Sequence, residues 1–134
     1  MKSVKVFLKI GLWVIGAGIL IYVLLISFLL FAPKLKSYVN QTAFDSAQWK
    51  AHLADRDSSK QKMVDDLLSK HELTRMTKAH IDELLGIPAQ TNYFKDYDYV
   101  YWLGPERSAF GIDSEWLAIK FENGVVVKAD IVRD

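Results

Sequence analysis

Three histidines, His52, His71 and His80, are the side chains in this 134-residue chain best suited to hold a metal or to move a proton near neutral pH. Their spacing favours neither role. A zinc site needs three or four ligands converging at set geometry, and His71 and His80 fall on different predicted helices with a turn between them. They read as surface histidines. The sixteen Asp and Glu are scattered. Asp65-Asp66 and Asp82-Glu83 are adjacent on predicted helices, so each pair diverges around the axis instead of sharing a proton; solvated faces are expected for them. Ser114 lies between Asp113 and Glu115 with no histidine in sequence reach and no nucleophile-elbow glycines. There is no cysteine, which removes disulfides, thiol catalysis and thiolate metal sites. No glycine-rich phosphate loop occurs either. The expectation is a non-catalytic chain with no cofactor, no metal and no small-molecule substrate.

The aromatic residues say more. Tyr97, Tyr99, Tyr101 and Leu103 alternate with Asp98, Val100 and Trp102, the period of a strand. Leu117, Ile119 and Phe121 alternate with Trp116, Ala118 and Lys120 in a second strand. Val125, Val127, Ala129 and Ile131 alternate with Val126, Lys128 and Asp130 in a third. If the parity of the tyrosines packs on helices, then Val100, Trp102, Trp116, Ala118 and Lys120 face away from them. A contiguous set centred on tryptophan is the usual composition of a binding surface. These five are the candidate partner-binding residues. The competing expectation is that the polar loop 104–113, carrying Phe110, folds over the same face and buries it.

A helical layer must position that sheet. Asp57 or Ser58 can cap a helix in which Met63, Val64, Leu67 and Leu68 recur on one face. The next helix is better specified. Thr77 is its N-cap, Met76 and Ile81 hold the staple positions, and Ile81, Leu84 and Leu85 form the apolar stripe. Gly86 then supplies a left-handed stop and Pro88 blocks continuation. Upstream, Asp45 can cap a short helix with Gln48 as reciprocal partner and Phe44 against Trp49 as staple; it is expected within a connector. In the last hairpin, a two-residue Asn123-Gly124 turn would set Ile119 opposite Lys128 and mix the two faces. A three-residue loop of Glu122, Asn123 and Gly124 instead pairs Phe121 with Val125, Ile119 with Val127 and Leu117 with Ala129. The pattern selects the longer loop, with Gly124 left-handed in a bulge.

Residues 10–32 are apolar and uncharged, with Lys2, Lys5 and Lys9 before them and Lys34 and Lys36 after. At about 1.5 Å per residue this run reaches about 34 Å, enough to cross a hydrocarbon core of about 30 Å. A signal-peptide apolar region is shorter, about 7–15 residues, and ends at small residues; this run exits through Leu29, Leu30, Phe31, Ala32 and Pro33. An uncleaved membrane anchor is expected. The flanking lysines favour an inside amino terminus. Beyond residue 36, twelve Lys and Arg face sixteen Asp and Glu, a net of −4. Without a basic stripe to neutralise phosphates, nucleic-acid binding is not expected. The expected organisation is a cytoplasmic segment 1–9, a transmembrane helix 10–32, a connector 33–54 and a single α+β domain 55–134. In that domain two short helices pack on a three-stranded antiparallel sheet.

The string from Met76 through Thr77, Ile81, Leu84, Leu85 and Gly86 to Pro88 is similar to the opening G-M-T-x-x-x-V/I-x-x-L-L-G-x-P of the SmpA/OmlA (BamE-like) family of small envelope domains. The stretch 116–126, a strand, Asn123-Gly124 and a strand, resembles the sheet of the same family, whose fold is related to half of a β-lactamase inhibitor protein. Phe44-Asp45-Ser46, Trp49, the string 63–68 and the string 101–107 resemble a further set of small bacterial envelope proteins. The chain departs from the pattern at Arg75, where the family has glycine, and in having no lipid-bearing cysteine. The resemblance implies an ααβββ fold and an extracytoplasmic location. It carries over no binding residues and no role in outer-membrane assembly. The resulting expectation is a single-pass inner-membrane protein whose periplasmic or extracellular domain binds another envelope protein. An inhibitor docking its sheet face on an envelope or extracellular enzyme is the alternative.

Overall fold

Apolar side chains all round a helix need apolar surroundings, and the first element supplies none of its own. The computed structural model describes residues 2–54, 56–108 and 111–134. Helix α1, Lys2–Val39, contains the stretch Ser3–Ala32, long and apolar enough to cross a membrane, a property signal sequences share; none of that window is buried. The helix does not stop at Pro33, where a connector was expected. Pro33 removes one intrahelical N–H, but no glycine or second proline follows it to end the helix.

Three short helices follow: α2 (Ser46–Ala51), α3 (Ser59–Lys70) and α4 (Lys78–Leu85). The Asp45 carboxylate accepts from the Gln48 N–H at 2.8 Å and so caps α2. The rings of Phe44 and Trp49 meet edge to face at 5.9 Å. Trp49 is fully buried in the core, so α2 belongs to the domain and not to a connector. At α3, Ser58 is left-handed and makes no capping bond; Asp57 does that work, accepting from the Ser59 N–H at 3.0 Å. Thr77 caps α4 by accepting from the His80 N–H, and Gly86 ends it at φ 74, ψ 170. That region is open essentially to glycine alone.

Strands β1 (Tyr99–Pro105), β2 (Ser114–Glu122) and β3 (Val125–Arg133) form an antiparallel sheet in the order β1-β2-β3. Trp49, Val64, Leu67, Ile81 and Leu85 from the helices meet Tyr99, Tyr101, Leu103, Leu117, Ile119 and Val126 from the sheet in one core. The architecture is therefore α+β.

The hairpin register differs from the expected one. Glu122 pairs with Val125 across a two-residue turn, with Asn123 at φ 51 and Gly124 at φ 75. The backbone twist of such a turn matches that of the strands. An irregularity between Lys120 and Phe121 then restores the faces: Lys120 pairs with Lys128, Ile119 with Ala129 and Leu117 with Ile131. The bulge absorbs the mismatch that argued for a longer loop, and it moves Val126 inward and leaves Val127 exposed. Tyr97 also departs from its expected place. It precedes β1, and its hydroxyl accepts from Lys128 at 3.0 Å on the face away from the helices.

Candidate functional site

The parity argument orients the five candidate residues correctly, away from the helices, but they are not an open surface. Val100 is 7%, Trp116 5% and Ala118 0% exposed, while Trp102 and Lys120 are half-buried. The cover is the segment 87–98, between α4 and β1. Tyr93 lies 5.2 Å from the Trp116 ring and Phe94 6.2 Å from it. The Arg56 guanidinium sits over Trp102 at 5.9 Å. The loop 104–113 was the expected cover, but Phe110 lies outside the described residues. Arg107 from that loop turns to the helix side, toward Asp65 and Glu115.

Within the strap 87–98, the Tyr93 N–H donates to the Thr91 hydroxyl and the Tyr97 N–H to the Phe94 carbonyl. It joins the sheet at Tyr97, whose hydroxyl accepts from Lys128, and at Asp98, whose N–H donates to the Ile119 carbonyl and whose carboxylate accepts from the Phe121 N–H. Phe94 is held at φ 51, unusual for a bulky residue. The Trp116 indole N–H, buried beneath, has no hydrogen-bond partner among the described residues. Between strap and strand lies a cleft of about 230 Å³ bordered by Gln90, Thr91, Tyr93, Tyr97 and Val100.

His52, His71 and the carboxylates of the helices lie elsewhere. His52 approaches Asp57 at 3.2 Å, and the His71 ring rests against Phe44 at 5.5 Å. Among the described residues, no three of His, Cys, Asp and Glu come together as metal ligands. The helical carboxylates are not simply solvated, as had been expected. Asp65 takes Gln41 at 2.5 Å and Arg107 at 2.6 Å. Asp66 takes the Phe44 N–H at 2.6 Å and Lys70 at 2.8 Å, contacts that hold its carboxyl below the usual carboxylate range. Asp82 accepts the Tyr99 hydroxyl at 2.6 Å, and Lys78 donates to the same hydroxyl. Burial, reinforced by Asp82, raises the Tyr99 phenol.

Glu115 is the group that sequence reasoning passed over. It is 1% exposed and accepts from Arg107 Nε at 2.7 Å, Gln61 at 3.3 Å and Arg133 at 3.4 Å. Burial opposes the Arg107 charge, but Asp65 and Glu115 outweigh it and keep the guanidinium protonated. A signal was available: Glu115 shares the parity of Leu117 and Ile119, and a carboxylate at a core position demands cationic partners. The chemistry of this cluster is that of a clamp. It ties Gln41, α3, the β1–β2 loop, β2 and β3 together.

The chain was compared with protein-family models, curated proteins and solved structures, and matches none of them.

Proposed function

We propose that this chain is a membrane-anchored, non-catalytic protein-interaction module of a bacterial cell envelope. Its amino terminus lies on the cytoplasmic side of the inner membrane and its α+β domain is periplasmic or extracellular. The observation that carries the reading is α1: thirty residues, Ser3–Ala32, with none of that apolar window covered by the domain. Such a surface is stable in lipid and costly in water. The orientation rests on three lysines before the uncharged run 10–32 against two just after it. The SmpA/OmlA-like assignment belongs to the same proposal. It is supported by short helices preceding a three-stranded meander, by the Thr77 cap and by the positive φ of Gly86. Glycine's usual place before Met76 is taken by Arg75, which nonetheless adopts the glycine conformation, at φ 75.

The test is a pair of reporters fused after Asp134, read together with the mass of the mature chain. A reporter active only outside the cytoplasm should work, on a chain that keeps residues 1–32. Activity of a cytoplasm-only reporter would overturn the orientation, and a chain shortened after Ala32 would make α1 a cleaved signal.

A further inference from the structure

We infer that the outer edge of β3 pairs with the same edge of a second copy of this chain, antiparallel and about a two-fold axis at Ile131. The inference goes beyond the interaction-module reading and uses neither the orientation of α1 nor the envelope location.

A sheet ordered β1-β2-β3 ends on β3, and the direction of the backbone groups decides what that end offers. The Ile119 carbonyl and the Phe121 N–H both turn toward Asp98, on the β1 side of β2. Alternation therefore turns the groups of Ala118 and Lys120 toward β3, where Asp130 and Lys128 stand opposite them. The N–H and C=O of Ala129, Ile131 and Arg133 are left pointing outward. Nearer the hairpin the edge is already occupied: the Val126 N–H donates to the Met76 carbonyl, and the Val126 carbonyl accepts from the Arg75 N–H. From Val127 to Arg133 the outer edge makes no backbone hydrogen bond among the described residues. An antiparallel copy can use this stretch only in a register that sets outward-pointing residues opposite each other. With Ala129 on the axis, the copy's Val132 would meet the backbone already paired to Val126. With Asp130 on the axis, two carboxylates would stand directly opposite, a destabilising pair. With Ile131 on the axis both conflicts vanish. The two isoleucines, each half-buried in the single chain, cover one another, and the exposed Lys128 stands opposite the copy's exposed Asp134. Ala129 leaves room for the copy's Arg133, and every outward group from Ala129 to Arg133 finds a partner. An edge that complements itself in charge, size and hydrogen bonding is the mark of an isologous contact, so the occupant is a second copy of this chain.

The chain has no cysteine, so a single introduced thiol reports without background. Residues that exchange hydrogen bonds across an antiparallel pair have Cα atoms about 5.5 Å apart, within the span a disulfide bridges. Ile131→Cys should therefore form a disulfide-linked dimer on mild oxidation of the full chain in detergent micelles. Val127→Cys is the control. It is the more exposed position, at 42%, but it lies four residues off the axis and so about 27 Å from its copy. Crosslinking should run at least tenfold faster at 131 than at 127. Adding Lys128→Glu sets carboxylates opposite each other at both ends of the paired stretch and should slow crosslinking at 131 at least threefold. Adding Asp134→Lys as well should restore it. Both side chains are exposed, and an unchanged melting temperature separates lost pairing from lost fold. No crosslink at 131, or equal rates at 131 and 127 as contact through α1 alone would give, would overturn the paired edge. Failure of the charge swap to restore the rate would overturn the register at Ile131. Each of these failures leaves the reporter result on α1 untouched, so the two readings fall separately.

Discussion

Two backbone positions separate glycine's freedom from its absence. A Cβ on Gly86 would lie 2.7 Å from Leu53 Cδ1 and 3.1 Å from Lys50 Cγ, at a φ of 74 that favours glycine in any case. Its carbonyl also accepts the Tyr101 hydroxyl at 2.6 Å. Gly86→Val should therefore lower stability by about 2 kcal/mol or more, read as a fall in melting temperature. Arg75 is the converse. Held at φ 75, it should give way to glycine with a gain of about 0.5–1 kcal/mol, the relief of a left-handed non-glycine residue less the added freedom of the unfolded chain. Unchanged melting of Arg75→Gly would show that the loop relaxes the strain by other means. Gly86 was legible because a stop after Leu84-Leu85 and before Pro88 is a local signal. Glu115 was not: its burial depends on Arg107 and Arg133, eight and eighteen residues away, and only the folded chain assembles them. Glu115→Ala removes a buried carboxylate from Arg107 and Arg133, which keep Asp65 and Glu106 as partners, and should cost about 2–4 kcal/mol in folding stability.

At the scale of elements, the entry to α2 and the flank of α3 are joined through Asp66, whose carboxylate takes the Phe44 N–H and Lys70. These contacts lower its proton affinity in the folded state below the ordinary value of 3.8. The stability they contribute is then complete above that value and is lost as the pH falls through and below it. Melting temperature followed from pH 6 to pH 3 should drop on the acid side, and Asp66→Asn should flatten the part of the drop that Asp66 causes while starting lower at pH 6. The same scale explains where reading the hairpin from sequence stopped. Alternation along β2 and β3 identified both strands, and Asn123-Gly124 identified the turn. The bulge between Lys120 and Phe121 is set by how Val126 packs in the core, a tertiary preference that leaves no mark in a period-two pattern.

For the molecule as a whole, sequence parity separates the two faces of the sheet but leaves the third layer unread. Residues 87–98 follow no helical or strand period, and their role appears only when Tyr93 and Phe94 are seen against Trp116. The consequence is measurable. Trp116→Ala removes a 5%-exposed side chain and should cost about 3–5 kcal/mol of folding stability. The half-buried Trp102, covered on one side by Arg56, should cost less on truncation. Equal and negligible losses at both positions would mean that the strap does not pack on this face in solution.

Helix α1 ends at Val39, and Gln41 is already hydrogen-bonded to Asp65, with the Thr42 N–H on the Lys62 carbonyl next. A single residue, Asn40, lies between α1 and the docked chain. Flexible linkers gain reach as about 5–6 Å times the square root of their length, so this one gives almost none. With α1 in a bilayer, the domain has no slack with which to search the space beyond its own diameter. On the proposed anchoring, a partner of this domain is met at the membrane surface, and one that is itself membrane-bound searches two dimensions instead of three.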